Sequence, residues 1–93
     1  MKTKLLERVP VPSEKILSRI ENAKAVIFDD SVGEPYLLNE TGTLIWQLCD
    51  GNLKIKEIIE ILCQQFEDDP SRIEKEVLDF IDKLKEKKII SLE

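Results

Sequence analysis

The side chains able to do chemistry are few, and their spacing does not suit it. The 93-residue chain has no histidine, so the commonest general base and metal ligand is missing. Cys49 and Cys63 are the only thiols. Both fall on apolar helical stripes, which reads as two buried thiols behaving as small hydrophobes. With no Cys-x-x-Cys and no His they do not fill a tetrahedral metal site, and a reducing cytosol opposes a disulfide between them. Ser13, Ser18, Ser31, Ser71 and Ser91 stand in no nucleophile-elbow context, and the glycines build no phosphate loop. The acidic pairs Asp29/Asp30 and Asp68/Asp69 sit at element ends and read as turn and cap residues, since a cation site needs more oxygen ligands at defined spacing. The expectation is a non-catalytic protein with no metal and no cofactor, one that works by binding.

Bulk properties narrow what it binds. The formal net charge of −5 disfavours nucleic acid, because duplex binding needs a Lys/Arg surface to displace counterions. No apolar run approaches the ~20 residues of a membrane span, and Met1–Arg8 carries charge without an apolar signal core. A cytoplasmic protein without membrane contact is expected. A chain of this length makes one domain and buries about 60–65% of its unfolded surface.

The elements that would position a binding site can be read in order. Val9-Pro10-Val11-Pro12 is extended, and its prolines remove N–H donors, so it suits an arm or sheet edge. Residues 1–14 are accordingly expected as an extended N-terminal arm on a domain spanning 15–93. Lys15–Glu21 partly alternates and leans to strand. Ala25–Phe28 is a strand entering a turn over Asp29–Gly33, and Glu34–Leu38 is the returning arm. Pro35 makes that arm start late or lie at an edge, with Tyr36 and Leu38 on the core face.

Asn39 then caps a helix. Leu44, Ile45, Leu48 and Cys49 form its stripe, Trp46 lies at the margin, and Asp50-Gly51 stops it. Ile55, Ile58, Ile59, Leu62 and Phe66 repeat along a second helix. Asp69-Pro70 opens a third, with Ile73, Val77, Phe80 and Leu84 inward, Ile81 at the margin and Leu78 well outside. Ile89–Leu92 reads as a closing strand. The order β-β-β-α-α-α-β predicts an α+β, winged helix-turn-helix-like fold: a three-stranded antiparallel sheet, three helices and a short C-terminal strand.

Two features of this layout suit peptide binding. An unpaired side of Glu34–Leu38 can accept an incoming extended segment through main-chain bonds. The flank of the last helix around Leu78 and Ile81 offers apolar surface.

The stretch Leu38-Asn39-x-Thr41-Gly42-x-x-Ile45-Trp46-x-Leu48-Cys49-Asp50-Gly51, followed by Glu57-Ile58 and a further acidic-capped helix, resembles the PqqD-like family. These are small elements that recognise the precursor peptides of ribosomally made, modified natural products. The resemblance runs over roughly residues 13–92. It departs at Lys54, where the family more often has Thr or Ser before the second helix. It implies that a leader peptide adds as an antiparallel strand to the third strand, in a groove against the third helix. Carried onto this chain, Tyr36, Leu37 and Leu38 line the strand side and Glu74, Lys75, Leu78, Ile81 and Lys85 the helix side. The lysines would meet acidic leader residues, each rim pair contributing only ~0–1 kcal/mol. The implied role is an adaptor, monomeric or weakly dimeric, that presents the peptide to a radical SAM enzyme, a cyclase or a leader peptidase. The helix order alone also fits a winged-helix DNA-binding regulator. Glu74, Glu76, Asp79 and Asp82 among the lysines of the last helix make it a poor reader of base edges. A structural subunit whose groove is filled by its own arm is a third possibility.

Overall fold

A computed structural model of the chain describes residues 2–29 and 35–93. In chain order the elements are α1 (Lys2–Leu6), β1 (Pro10–Pro12), β2 (Ile16–Glu21), β3 (Lys24–Asp29), β4 (Tyr36–Leu37), α2 (Glu40–Leu48), α3 (Ile55–Gln65), α4 (Pro70–Glu86) and β5 (Ile90–Leu92). The expected α+β layout of a three-stranded sheet, three main helices and a closing strand is present.

The sheet is antiparallel with order β2-β3-β4. β2 and β3 turn directly at Asn22 and Ala23, whose φ values of 52° and 65° suit a tight hairpin matching the right-handed strand twist. The expected turn over Asp29–Gly33 lies, from residue 30 onward, outside the described residues, as does Glu34. β3 is the central strand, and its Ala25, Val26 and Ile27 are buried. β4 begins directly after Pro35 and pairs Tyr36 with Ile27 and Leu37 with Val26.

Helix ends follow the capping chemistry. Asn39 Oδ1 accepts from Gly42 N–H at 2.7 Å, and Asp69 Oδ1 accepts from Ser71 N–H at 3.0 Å ahead of Pro70. Lys54 carries no acceptor for the start of α3. Instead Glu57 Oε1 reaches back to Lys54 N–H at 2.8 Å, half of a capping box, and Arg8 C=O takes the Ile55 N–H at 2.9 Å.

The three main helices close over one face of the sheet. The core gathers Ala25, Ile27 and Leu38 from the sheet, Ile45, Trp46 and Cys49 from α2 and its end, Ile55, Ile58 and Leu62 from α3, and Ile73, Val77, Ile81 and Leu84 from α4. Two stripes are rotated from the sequence expectation. On α2, Trp46 is buried while Leu44 and Leu48 are only half-buried. On α4, Ile81 is buried at 2% exposure and Phe80 is the half-buried margin. The cause is that α2 is gripped from two sides. Thr43 Oγ1 accepts the Ala25 N–H at 2.8 Å on the sheet side. On the other side Gly42 faces α4 so closely that a Cβ there would stand 3.1 Å from Phe80 Cε1. Phe66 departs too: it caps α3 with extended backbone and is 40% exposed, rather than continuing the helical stripe.

Residues before β2 pack on the rest of the chain. β1 is extended as expected and pairs with β5, Val11 opposite Ser91, while Lys2–Leu6 is helical rather than extended. Val9 and Glu93 exchange main-chain bonds of 3.0 and 2.9 Å, and the Arg8 guanidinium donates to the carbonyls of Leu92 and Glu93. The Glu7 carboxylate bridges Lys54 Nζ at 2.9 Å and Lys56 Nζ at 2.8 Å. These two lysines hold its carboxyl down to about 2.

Candidate functional site

β4 is the edge of its sheet, and its outer side pairs with no strand among the described residues. The direction of its main-chain groups follows from the ladder. Leu38 N–H donates inward to Ala25 C=O at 3.0 Å. In an antiparallel pair alternate residues aim both groups at the same neighbour. Leu37 therefore turns its N–H and C=O away from β3. Pro35, on the same outward side, has no N–H to leave unsatisfied. β5, the strand that could have covered this edge, pairs with β1 instead, so among the described residues the third possibility, a groove filled by the chain's own arm, is not met at β4.

The helix beside this edge is α4, presented by one flank. Lys87 Nζ lies 5.0 Å from the centre of the Tyr36 ring, and Phe80 lies against Gly42 just beyond β4. Asn39, Gly42, Asp79, Phe80 and Lys83 line a cleft of about 250 Å³ between the start of α2 and α4. From Tyr36 to Gly42 the chain advances while the facing α4 residues fall from Lys87 to Phe80, so β4 and α4 run in opposite directions.

The residues expected to form the groove divide. On β4, Tyr36 is half-buried and Leu37 is 69% exposed, whereas Leu38 is 5% exposed and belongs to the core. On α4, Ile81 is likewise a core residue, Glu74 and Leu78 are half-buried and Lys75 is exposed. Lys85 faces a depression with Ser13, Lys88, Ile90 and Ser91 on the β1–β5 side. At about 100° per residue, Glu74, Leu78, Ile81 and Lys85 share a flank roughly 180° from Glu76, Asp79, Phe80, Lys83 and Lys87. The flank next to β4 carries Phe80, Lys83 and Lys87. The available signal was the 76/80/83/87 spacing, but Phe80 reads equally well as core and the lysines as partners of the helix dipole.

Cys49 is buried, and that burial, reinforced by the Asp50 charge, pushes its thiol up to about 12. Both cysteines are free. Among the described residues no cluster of His, Cys, Asp and Glu could hold a metal ion, and no helix is long and apolar enough to cross a membrane.

The family model of coenzyme PQQ synthesis protein D (PqqD) matches residues 24–90, from β3 to the start of β5 and so most of the chain. The chain belongs to the PqqD family. A search of curated proteins finds no match. Among solved structures, TbiB1 in complex with the TbiA(beta) leader peptide superposes with a TM-score of 0.80 at 22% identity, covering 86% of this chain and 93% of that one. Lasso peptide synthetase B1 complexed with the leader peptide gives a TM-score of 0.80 at 21% identity, over 88% of this chain and 96% of that one. At such identities the likeness establishes a shared fold. The PqqD core begins at β3, so β1 and β2 lie outside the family match while β4, α2 and α4, which frame the open edge, lie inside it.

Proposed function

We propose that this PqqD-family chain is a non-catalytic adaptor that binds the leader of a ribosomally made precursor peptide by strand addition to β4. It then delivers that peptide to a modifying enzyme in the cytoplasm, such as a radical SAM enzyme, a cyclase or a leader peptidase. The observation that carries the reading is the outward main-chain pair of Leu37 on a free sheet edge. An incoming antiparallel strand satisfies that N–H and C=O and becomes the fourth strand. Its side chains alternate. One set lies beside the exposed Leu37 on the outer face, and the other faces Tyr36, Phe80, Lys83 and Lys87, where the lysines favour acidic leader residues. The fold shared with two proteins solved with leader peptides supports the same reading. Holding the leader rather than the reacting residues lets one enzyme meet many cores, and tethering raises effective concentration, up to roughly mM for a short linker.

The test is titration of a labelled leader, taken from a precursor encoded beside this chain's gene, against wild type and Leu37→Pro by fluorescence anisotropy. The substitution removes a donor that β3 does not use and leaves one incoming carbonyl unpaired. That costs about 1–3 kcal/mol, or roughly 5- to 150-fold in Kd. An unchanged Kd for a folded variant would rule out the β4 edge.

A further inference from the structure

The cleft at β4 does not end at α2. Thr41, Ile45 and Glu76 line both that cleft and a second one of about 440 Å³, floored by Ile45, Leu62, Ile73 and Val77 and walled by Phe66. The two adjoin along α4, from Lys83 at one end to Arg72 at the other, and Lys87 beside Tyr36 lies one turn beyond Lys83. Phe66 is an aromatic side chain left 40% exposed at the mouth of an apolar hollow.

Charge changes sign along the two clefts. At the β4 end stand Lys83 and Lys87, with Asp79 on the same cleft as Lys83. At the Phe66 end stand Glu67, Asp68 and Glu76, with Arg72 between the last two at 4.0 and 3.8 Å. Direction follows from the fold. β4 runs toward Asn39, so a strand antiparallel to it runs from the Asn39 end toward Tyr36. Its N-terminal continuation therefore enters the Phe66 cleft, and its C-terminal continuation leaves past Lys87.

We propose that the Phe66 cleft is a second subsite for the leader, taking one large apolar side chain on the N-terminal side of the segment paired with β4. This rests on the β4 reading above. The level of Leu37 and the centre of the cleft are separated by about nine residues of α4, roughly 13 Å at 1.5 Å per residue. That is about four residues of extended peptide at ~3.3 Å each. The acidic rim favours basic residues, or the leader's own α-amino group, flanking that anchor. The subsite lengthens the recognised segment and sets its direction, because the β4 edge alone accepts a strand through main-chain bonds with little side-chain demand.

The probe is a set of 16-residue peptides selected from a random display library on the wild-type chain and counter-selected on Leu37→Pro. Recovered peptides are expected to carry an aromatic or large aliphatic residue about four positions N-terminal to the β4-paired segment. Phe66→Ser and Thr41→Arg, both at exposed positions on the cleft walls, are each expected to weaken such a peptide about tenfold. The effect should vanish for the same peptide trimmed before the anchor. If Leu37-dependent peptides bind both variants within twofold of wild type, or place the anchor C-terminally, the subsite is refuted while the β4 reading stands. If no Leu37-dependent peptide is recovered, both fall together.

Discussion

Thr43 offers a sharp energetic test of how the open edge is held. Its Oγ1 accepts the Ala25 N–H at 2.8 Å with both residues buried. In the ladder register Ala25 stands opposite Leu38, whose N–H it receives. The returning bond from Ala25 goes to α2 rather than to Leu38, which stitches helix to central strand at the point where β4 ends. Thr43→Val keeps the shape and removes the acceptor, leaving a buried N–H unpaired. The cost of such a group is about 1–3 kcal/mol, so a loss of ~2 kcal/mol is expected, and a fall in Tm of about 8–16 °C for a domain this size. Thr43→Ser retains the hydroxyl and should lose only a methyl group, about 1 kcal/mol. Urea denaturation of the three proteins reads the difference directly. If Thr43→Val is as stable as Thr43→Ser or more so, the Ala25 N–H has another partner, and the view that α2 anchors the strand is wrong.

Other substitutions probe neighbouring parts. Gly42→Ala should destabilise by about 1 kcal/mol, as crowding against Phe80 outweighs the gain in helix propensity. Phe80→Leu in the same background should remove most of that loss in urea midpoints. Glu7→Gln should lower stability near neutral pH by breaking the bridge to Lys54 and Lys56. The folded carboxyl lies at about 2 against an ordinary 4.5, so the difference between the two proteins is full above pH 4.5 and fades as pH falls toward 2. A pH series of thermal unfolding that shows the gap constant down to pH 2 would contradict it. With its thiol raised to about 12 by burial, Cys49 should stay unmodified by iodoacetamide at pH 8 while the half-buried Cys63 reacts first, which peptide mass spectrometry resolves.

Much of the architecture was legible because local chemistry and tertiary need agree. Asn39 and Asp69 are caps by their own side chains, and Pro35 directly precedes β4. The periodicity of α3 names its inner residues down to Leu62. What could not be read required knowledge of neighbours. Whether Trp46 or Leu48 faces inward depends on α2 being held from two sides at once. Ile81 and Phe80 exchange roles because Gly42 admits Phe80 at the margin. Positive φ at Ala23 carries no compositional signal, since alanine is not a turn residue, and the pairing of β1 with β5 joins opposite ends of the chain. Tyr36 and Leu37 could be placed on an edge strand from the sequence, whereas Leu38, named with them, lies in the core. Which flank of α4 meets β4 could not be read, because stripe arithmetic gives the angle between flanks but not their neighbour. That assignment needed Lys87 over Tyr36 and Phe80 against Gly42.

On the proposed reading, the outward main-chain groups of Leu37 receive the leader. Amide hydrogen exchange followed by NMR, on the free chain and with the leader peptide bound, addresses it atom by atom. The Leu37 amide should exchange quickly in the free chain and become strongly protected on binding, while the already bonded Leu38 amide changes little. Saturating peptide with no added protection at Leu37, and new protection along β2 or the β1–β5 pair instead, would place the peptide elsewhere and contradict it.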